Sequence, residues 1–182
     1  MRYLCRFYLW LIGWKTASVL PEEVRKCVLV AAPHTSNSDY PICLSTLYAH
    51  GTRVRFLAKD SLFRFPLGFL MRATGGIPVN RSKHCNTVDT MIGMFSERKR
   101  LVLMIPVEGT RSYVKEWKSG FYHTAVGAGV PIALGYLDYS TKTAGFGDVF
   151  YPTGDYQKDL QKIQTFYRQF RAKYPEKSSL NT

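Results

Sequence analysis

A chain of 182 residues, 46% hydrophobic and 21% charged, fits one domain, 1–182, with a core of real size, and is not a disordered or low-complexity polymer. Its 25 Lys and Arg against 13 Asp and Glu leave a formal charge of +12, which favours anionic partners such as lipid head groups or nucleic acid. The cysteines, Cys5, Cys27, Cys43 and Cys85, form no CxxC pair and no His-flanked cluster, which argues against a disulfide framework or zinc site and for thiols in a reducing compartment.

The first 14 residues are apolar and aromatic, with Arg2 and Arg6 near their start. The uncharged run 7–14 is far short of the ~20 residues that span a bilayer. Thr16-Ala17-Ser18 offers small residues for a signal cleavage, but Trp14 and Lys15 obstruct it. An amphipathic helix that lies in a membrane surface, or packs on the domain, is the expectation. Residues 27–32 read as a buried strand ending in His34-Thr35-Ser36-Asn37-Ser38-Asp39. A helix over 40–50 follows, with Pro41 in its first turn, Ser38 or Asp39 as its cap and Gly51 as its stop. Next come a strand over 53–58, a helix within 62–72, a strand over 77–79 and a helix over 88–99. The strand 101–105 ends in Glu108-Gly109-Thr110-Arg111-Ser112. A helix over 121–129, a strand over 132–137 and a helix over 156–172 complete the order, with 175–182 as a loose tail. Strands alternating with helices predict an α/β fold, a largely parallel sheet flanked by helices.

Between residues 51 and 83, Arg53, Arg55, Lys59, Arg64, Arg72, Arg81 and Lys83 face a lone acid, Asp60. The same stretch holds a Phe- and Leu-rich run, 62–71. Such a mixture suits a membrane interface, where cationic stems reach head groups and rings sit at the acyl boundary. Ordinary core residues beside solvated arginines would read the same way.

Two polar segments, each ending an apolar strand, carry the chemistry. A hydroxyl is a poor nucleophile at neutral pH, and an imidazole is matched to removing its proton, so His34 is the candidate base. A carboxylate on its second ring nitrogen fixes the tautomer and stabilises the cation, a role open to Asp39; the bland reading makes Asp39 only a helix cap. No G-x-S-x-G elbow is present, so Ser36 and Ser38 are not read as acyl-enzyme nucleophiles. Gly75 and Gly76 let backbone approach a ligand, and the Arg81 guanidinium can fork onto phosphate oxygens. Gly109 permits a tight turn, Arg111 can meet phosphate, and Glu108 can accept a hydroxyl or orient Arg111. His50, His84 and His123 have no partner pattern.

His34-x4-Asp39, Gly76-Ile77-Pro78-Val79-Asn80-Arg81, Glu108-Gly109-Thr110-Arg111-Ser112 and Val130-Pro131-Ile132, in this order, resemble the four motifs of the glycerophospholipid acyltransferases. These are the 1-acylglycerol-3-phosphate acyltransferases, and the likeness to short bacterial members runs over about 14–155. The resemblance implies the glycerolipid acyltransferase fold and transfer of an acyl group from acyl-CoA or acyl carrier protein to a lysophospholipid hydroxyl. With 1-acylglycerol 3-phosphate as acceptor, the product is phosphatidic acid. It makes His34 and Asp39 catalytic, and gives acceptor and phosphate binding to Arg81, Glu108, Gly109, Thr110 and Arg111. Lys118, in a Lys-x-Gly that the family shares, is a further phosphate contact. No metal or prosthetic group is implied, nor any nucleic acid. A peripheral place on the cytoplasmic face of the inner membrane, at an anionic surface, is. Val107 stands where the family has proline, and Asn80 where it often has aspartate. A different acceptor, an aminolipid or glycolipid, and a catalytically silent basic module are the competing readings.

Overall fold

The computed structural model describes residues 1–79 and 87–180. The apolar run at the first motif becomes β2 (Lys26–Ala32), the middle of a seven-stranded sheet. β5 (Leu101–Pro106) and β6 (Ile132–Asp138) lie parallel to it on either side. Cys27, Val28, Leu29 and Val30 are all buried, as an unbroken apolar strand covered on both faces requires. Outward from β5 run β3 (Val54–Lys59) and β4 (Gly76–Val79), also parallel. Outward from β6 lie β7 (Thr143–Phe150), antiparallel to it, and the short β1 (Lys15–Thr16). The parallel α/β core is therefore the expected one, with two strands at one edge, β7 and β1, running the opposite way.

β7 was hidden by its glycines. A Cβ on Gly145 would sit 2.6 Å from Ser18 Oγ, and one on Gly147 would sit 2.2 Å from the Phe166 ring. Ser18 fastens β7 by donating to the Phe146 carbonyl (2.6 Å) and accepting from its amide (2.7 Å). The residues that break the alternation are those that admit close neighbours.

Helices cover both faces. On one lie α1 (Arg2–Leu11), α2 (Asp39–Ala49) and α3 (Leu67–Ala73), over Leu29, Phe56, Met104 and Ala133. On the other lie α4 (Thr87–Ser96), α5 (Gly120–Ala128) and α6 (Tyr156–Tyr167), over Val28, Val30, Leu103 and Leu134. α1 does two things at once. Cys5 and Leu9 pack with Ile42 and Ala49 of α2, while Tyr3, Leu4, Phe7, Trp10 and Leu11 remain exposed. The Arg6 Nε donates to the Ala49 carbonyl (3.2 Å) at the C-terminus of α2, tying the two helices together. Among the described residues no helix is long and apolar enough to cross a membrane.

The last helix stops at Tyr167 rather than continuing to 172. The Tyr167 hydroxyl is buried against the carbonyls of Val30 (2.9 Å) and Gly135 (3.0 Å), and the chain then turns back over the sheet. Its course is pinned: Arg171 donates its amide to Asp138 Oδ1 (3.1 Å), Lys173 Nζ donates to Ser38 Oγ (2.8 Å), and the Tyr174 amide donates to Thr35 Oγ1 (3.3 Å). The expectation of a loose tail is overturned for 175–180. Ser178 and Leu180 are buried, and Trp117 Nε1 donates to Ser179 Oγ (2.9 Å).

Candidate active site

β2 ends at a cis Ala32–Pro33 bond, and the next residue, His34, stands at the C-terminal edge of the sheet. Asp39 opens α2 five residues on. Its carboxylate does not cap that helix but turns back over the loop. Oδ2 accepts from His34 Nδ1 (3.1 Å) and from the amides of Thr35 (2.9 Å) and Ser36 (2.8 Å). Oδ1 accepts from the Tyr139 hydroxyl (2.6 Å). Burial pushes the Asp39 carboxyl up, but the bonds from His34, Tyr139 and Ser36 outweigh it and hold its pKa below the ordinary carboxylate value. An ionised carboxylate has no proton to give, so His34 carries its hydrogen on Nδ1 and keeps a lone pair on Nε2. A base with an oriented tautomer is the result.

Tyr139 was invisible in the sequence. It lies 100 residues beyond Asp39 in the turn between β6 and β7, and no local pattern marks it. Burial, and then the Asp39 charge, raises its pKa, so it stays a donor. Its ring meets Trp14 edge to face at 4.9 Å, just past the end of α1.

Glu108 is packed beneath the histidine loop. It is 2% exposed and does not line the cavity below; Oε1 accepts the His34 amide (3.2 Å) and Oε2 has no hydrogen-bond partner among the described residues. Burial, opposed by the His34 amide, raises its pKa above the ordinary value. The side chain supports the histidine loop through that bond to the His34 amide. Gly109 has φ +65°, and a Cβ there would lie 3.0 Å from the Lys118 side chain, which folds over the turn. Thr110 and Arg111 are exposed beyond it. Arg81 lies outside the described residues. Val130 is buried, and the Pro131 carbonyl accepts the Val28 amide (3.0 Å) at the end of β2 remote from His34, which makes this segment core.

His34, Asn37, Thr110 and Arg111 border a cavity of about 740 Å³. It runs beneath α2 along the sheet, walled by Leu29, Cys43, Leu47, Phe56, Met104 and Phe146. Its far side reaches Leu62, Leu67 and Leu70. The wall is mostly apolar, suited to a hydrocarbon chain, with the His34 imidazole and the Arg111 guanidinium among its few polar groups. Cys43 is no rival nucleophile: burial, and then the Asp39 charge, pushes its thiol up to about 12, so it remains protonated at neutral pH.

The acyltransferase family model matches residues 16–133. A 1-acyl-sn-glycerol-3-phosphate acyltransferase of Haemophilus influenzae is 30% identical over 131 residues, covering 67% of this chain and 53% of that protein. One from Salmonella typhimurium is 36% identical over 83 residues, 42% of this chain and 34% of that protein. The chain thus spans about half the length, or less, of the curated relatives it matches. The crystal structure of the 1-acyl-sn-glycerophosphate acyltransferase of Thermotoga maritima shares the fold, with a TM-score of 0.62 at 16% identity over 92% of this chain and 75% of that one.

Proposed function

The chain belongs to the acyltransferase family, and from that membership we propose that it moves a fatty acyl group from a thioester, acyl-CoA or acyl carrier protein, to the hydroxyl of a lysophospholipid. The acceptor proposed is 1-acylglycerol 3-phosphate, giving phosphatidic acid. The observation that carries this reading is the His34–Asp39 pair, 3.1 Å apart, at the mouth of an apolar cavity rimmed by Arg111.

The acyl chain lies in the cavity with its thioester carbonyl near His34. Nε2 takes the proton of the acceptor hydroxyl as its oxygen bonds to the carbonyl carbon. The C–S bond breaks, and the departing sulfur receives that proton from the imidazolium. Asp39 stabilises the cation in between, and the amides of Thr35 and Ser36 hold the carboxylate still. Arg111, joined by Arg81 in this proposal, takes the acceptor phosphate. Gly109 and Thr110 shape the turn that presents Arg111, and Lys118 lies close enough to that turn to add a further charge. The enzyme acts at the periphery of a membrane, a placement supported by the exposed apolar face of α1. Free thiol release on mixing the protein, an acyl-CoA and 1-acylglycerol 3-phosphate tests the proposal. Release that does not depend on the lysolipid, or none with any acyl donor, would refute it.

A further inference from the structure

Phe65 is 99% exposed and Phe69 84%, and Leu62, Leu67 and Leu70 are exposed beside them. These residues belong to the 3-10 turn Asp60–Phe63, α3 and the link between them, and the segment is held firmly in shape. Phe63 is buried beneath it, and the Gly68 amide donates to the Arg64 carbonyl (2.8 Å). A Cβ on Gly68 would lie 2.0 Å from the Phe63 carbonyl oxygen, so the turn closes only with glycine there. The Arg72 guanidinium sits over the Phe63 ring, 5.4 Å from its centre. A braced turn that holds five large apolar side chains outward is a platform for a partner.

The partner's chemistry follows from two observations. Leu62, Leu67 and Leu70 also wall the far side of the cavity, so the outer apolar surface continues into the space that leads to His34. The cations Lys59, Arg64 and Arg72 accompany the segment against the single acid Asp60. We infer that residues 62–70 dock into an anionic lipid surface. Phe65 and Phe69 enter the acyl boundary and Arg64 stays at head-group level. The cavity then opens sideways into lipid between α2 and α3, and an apolar chain passes into it without crossing water. That passage rests on the acyltransfer reading, while the docking itself does not. α1 lies in the same helical layer and adds Phe7 and Trp10, but it does not border the cavity.

The test compares the full chain with F65S/F69S, and with F7S/W10S on α1. Co-sedimentation is measured with phosphatidylcholine vesicles with and without phosphatidylglycerol. Both phenylalanines are exposed, so an unchanged melting temperature is expected. Partition of F65S/F69S onto the anionic vesicles should fall about tenfold per ring lost. Turnover of a dispersed short-chain substrate should hold, while turnover of bilayer-borne lysolipid falls with the partition. If F65S/F69S sediments as the parent does, the docking is refuted. If its vesicle partition holds but it loses capture of an acidic acyl carrier protein that the parent binds, the surface is a protein site and the inference is overturned. Equal parental binding to vesicles lacking phosphatidylglycerol would remove the anionic part of the claim. If the parent turns over no dispersed substrate, the acyltransfer reading fails, and the sedimentation result still decides the docking.

Discussion

Replacing Asp39 with asparagine isolates the charge of the dyad from its shape. The amide oxygen can occupy the place of Oδ2 and keep the three N–H bonds from His34, Thr35 and Ser36. The NH2 group then faces the Tyr139 oxygen, which becomes the acceptor where it was the donor. The loop therefore stays closed while the negative charge beside the imidazole is lost. A unit charge pair about 4 Å apart at an effective dielectric of about 20 is worth roughly 4 kcal/mol. The His34 side chain is 22% exposed, so solvent screens part of this, and about 2–4 kcal/mol remains. The imidazolium forms as the acceptor proton moves to Nε2, so the loss appears in turnover: kcat should fall about 30- to 1,000-fold. Thiol release from acyl-CoA at saturating dispersed lysophosphatidate measures it, with circular dichroism to confirm the fold. A folded Asp39→Asn protein within threefold of the parent would refute the carboxylate's part in catalysis.

His34→Ala should lose about 100- to 10,000-fold in kcat with its circular dichroism unchanged, and a near-normal rate in the same thiol assay would end the base mechanism. Tyr139→Phe removes the donor on Oδ1, so Asp39 becomes more basic and draws harder on the His34 proton. The acid limb of the kcat profile should then move to higher pH while the acceptor KM holds; a profile that does not move would make Tyr139 purely structural. Glu108→Gln replaces a buried carboxyl whose pKa is raised, mainly by burial, so the folded parent binds more protons than the unfolded chain. Parent stability must fall as pH rises from about 4.5, the unfolded value, toward the folded one, and denaturant titrations of the variant should lack that slope. Arg111→Ala should raise the KM for a phosphorylated acceptor about tenfold and leave that for the thioester unchanged; the opposite split would assign Arg111 to the donor.

Much of this was legible because central parallel strands announce themselves. Residues 27–32 and 101–105 are uninterrupted apolar runs, and each ends in the polar segment that it delivers to the edge of the sheet. His34 and Asp39 could be paired from spacing, since five residues reach from a strand end to a helix start. Glu108 could not be placed: motif position says that it is near the site, and only packing says on which side of the His34 loop it lies. Tyr139 depends on a contact across 100 residues and has no local signature. β7 was missed because Gly145 and Gly147 answer to Ser18 and Phe166, neighbours known only after folding. The reach of 156–172 was overestimated because helical periodicity cannot report that Tyr167 is anchored by two carbonyls of the sheet.

The closure of the histidine loop by residues 173 and 174 bears on the order in which the active site is made. Synthesis proceeds from the N-terminus, so a nascent chain that has reached residue 150 already carries the four motifs and every strand of the described residues. It still lacks α6, the Tyr167 hydroxyl beneath β2 and β6, and the partners of Thr35 and Ser38. These contacts span about 135 residues, among the most distant in the chain, and the loop entropy that opposes them is met only when the rest is in place. The His34 loop thus acquires its final setting only when residues 167–174 dock, after the strands that carry it are already in place.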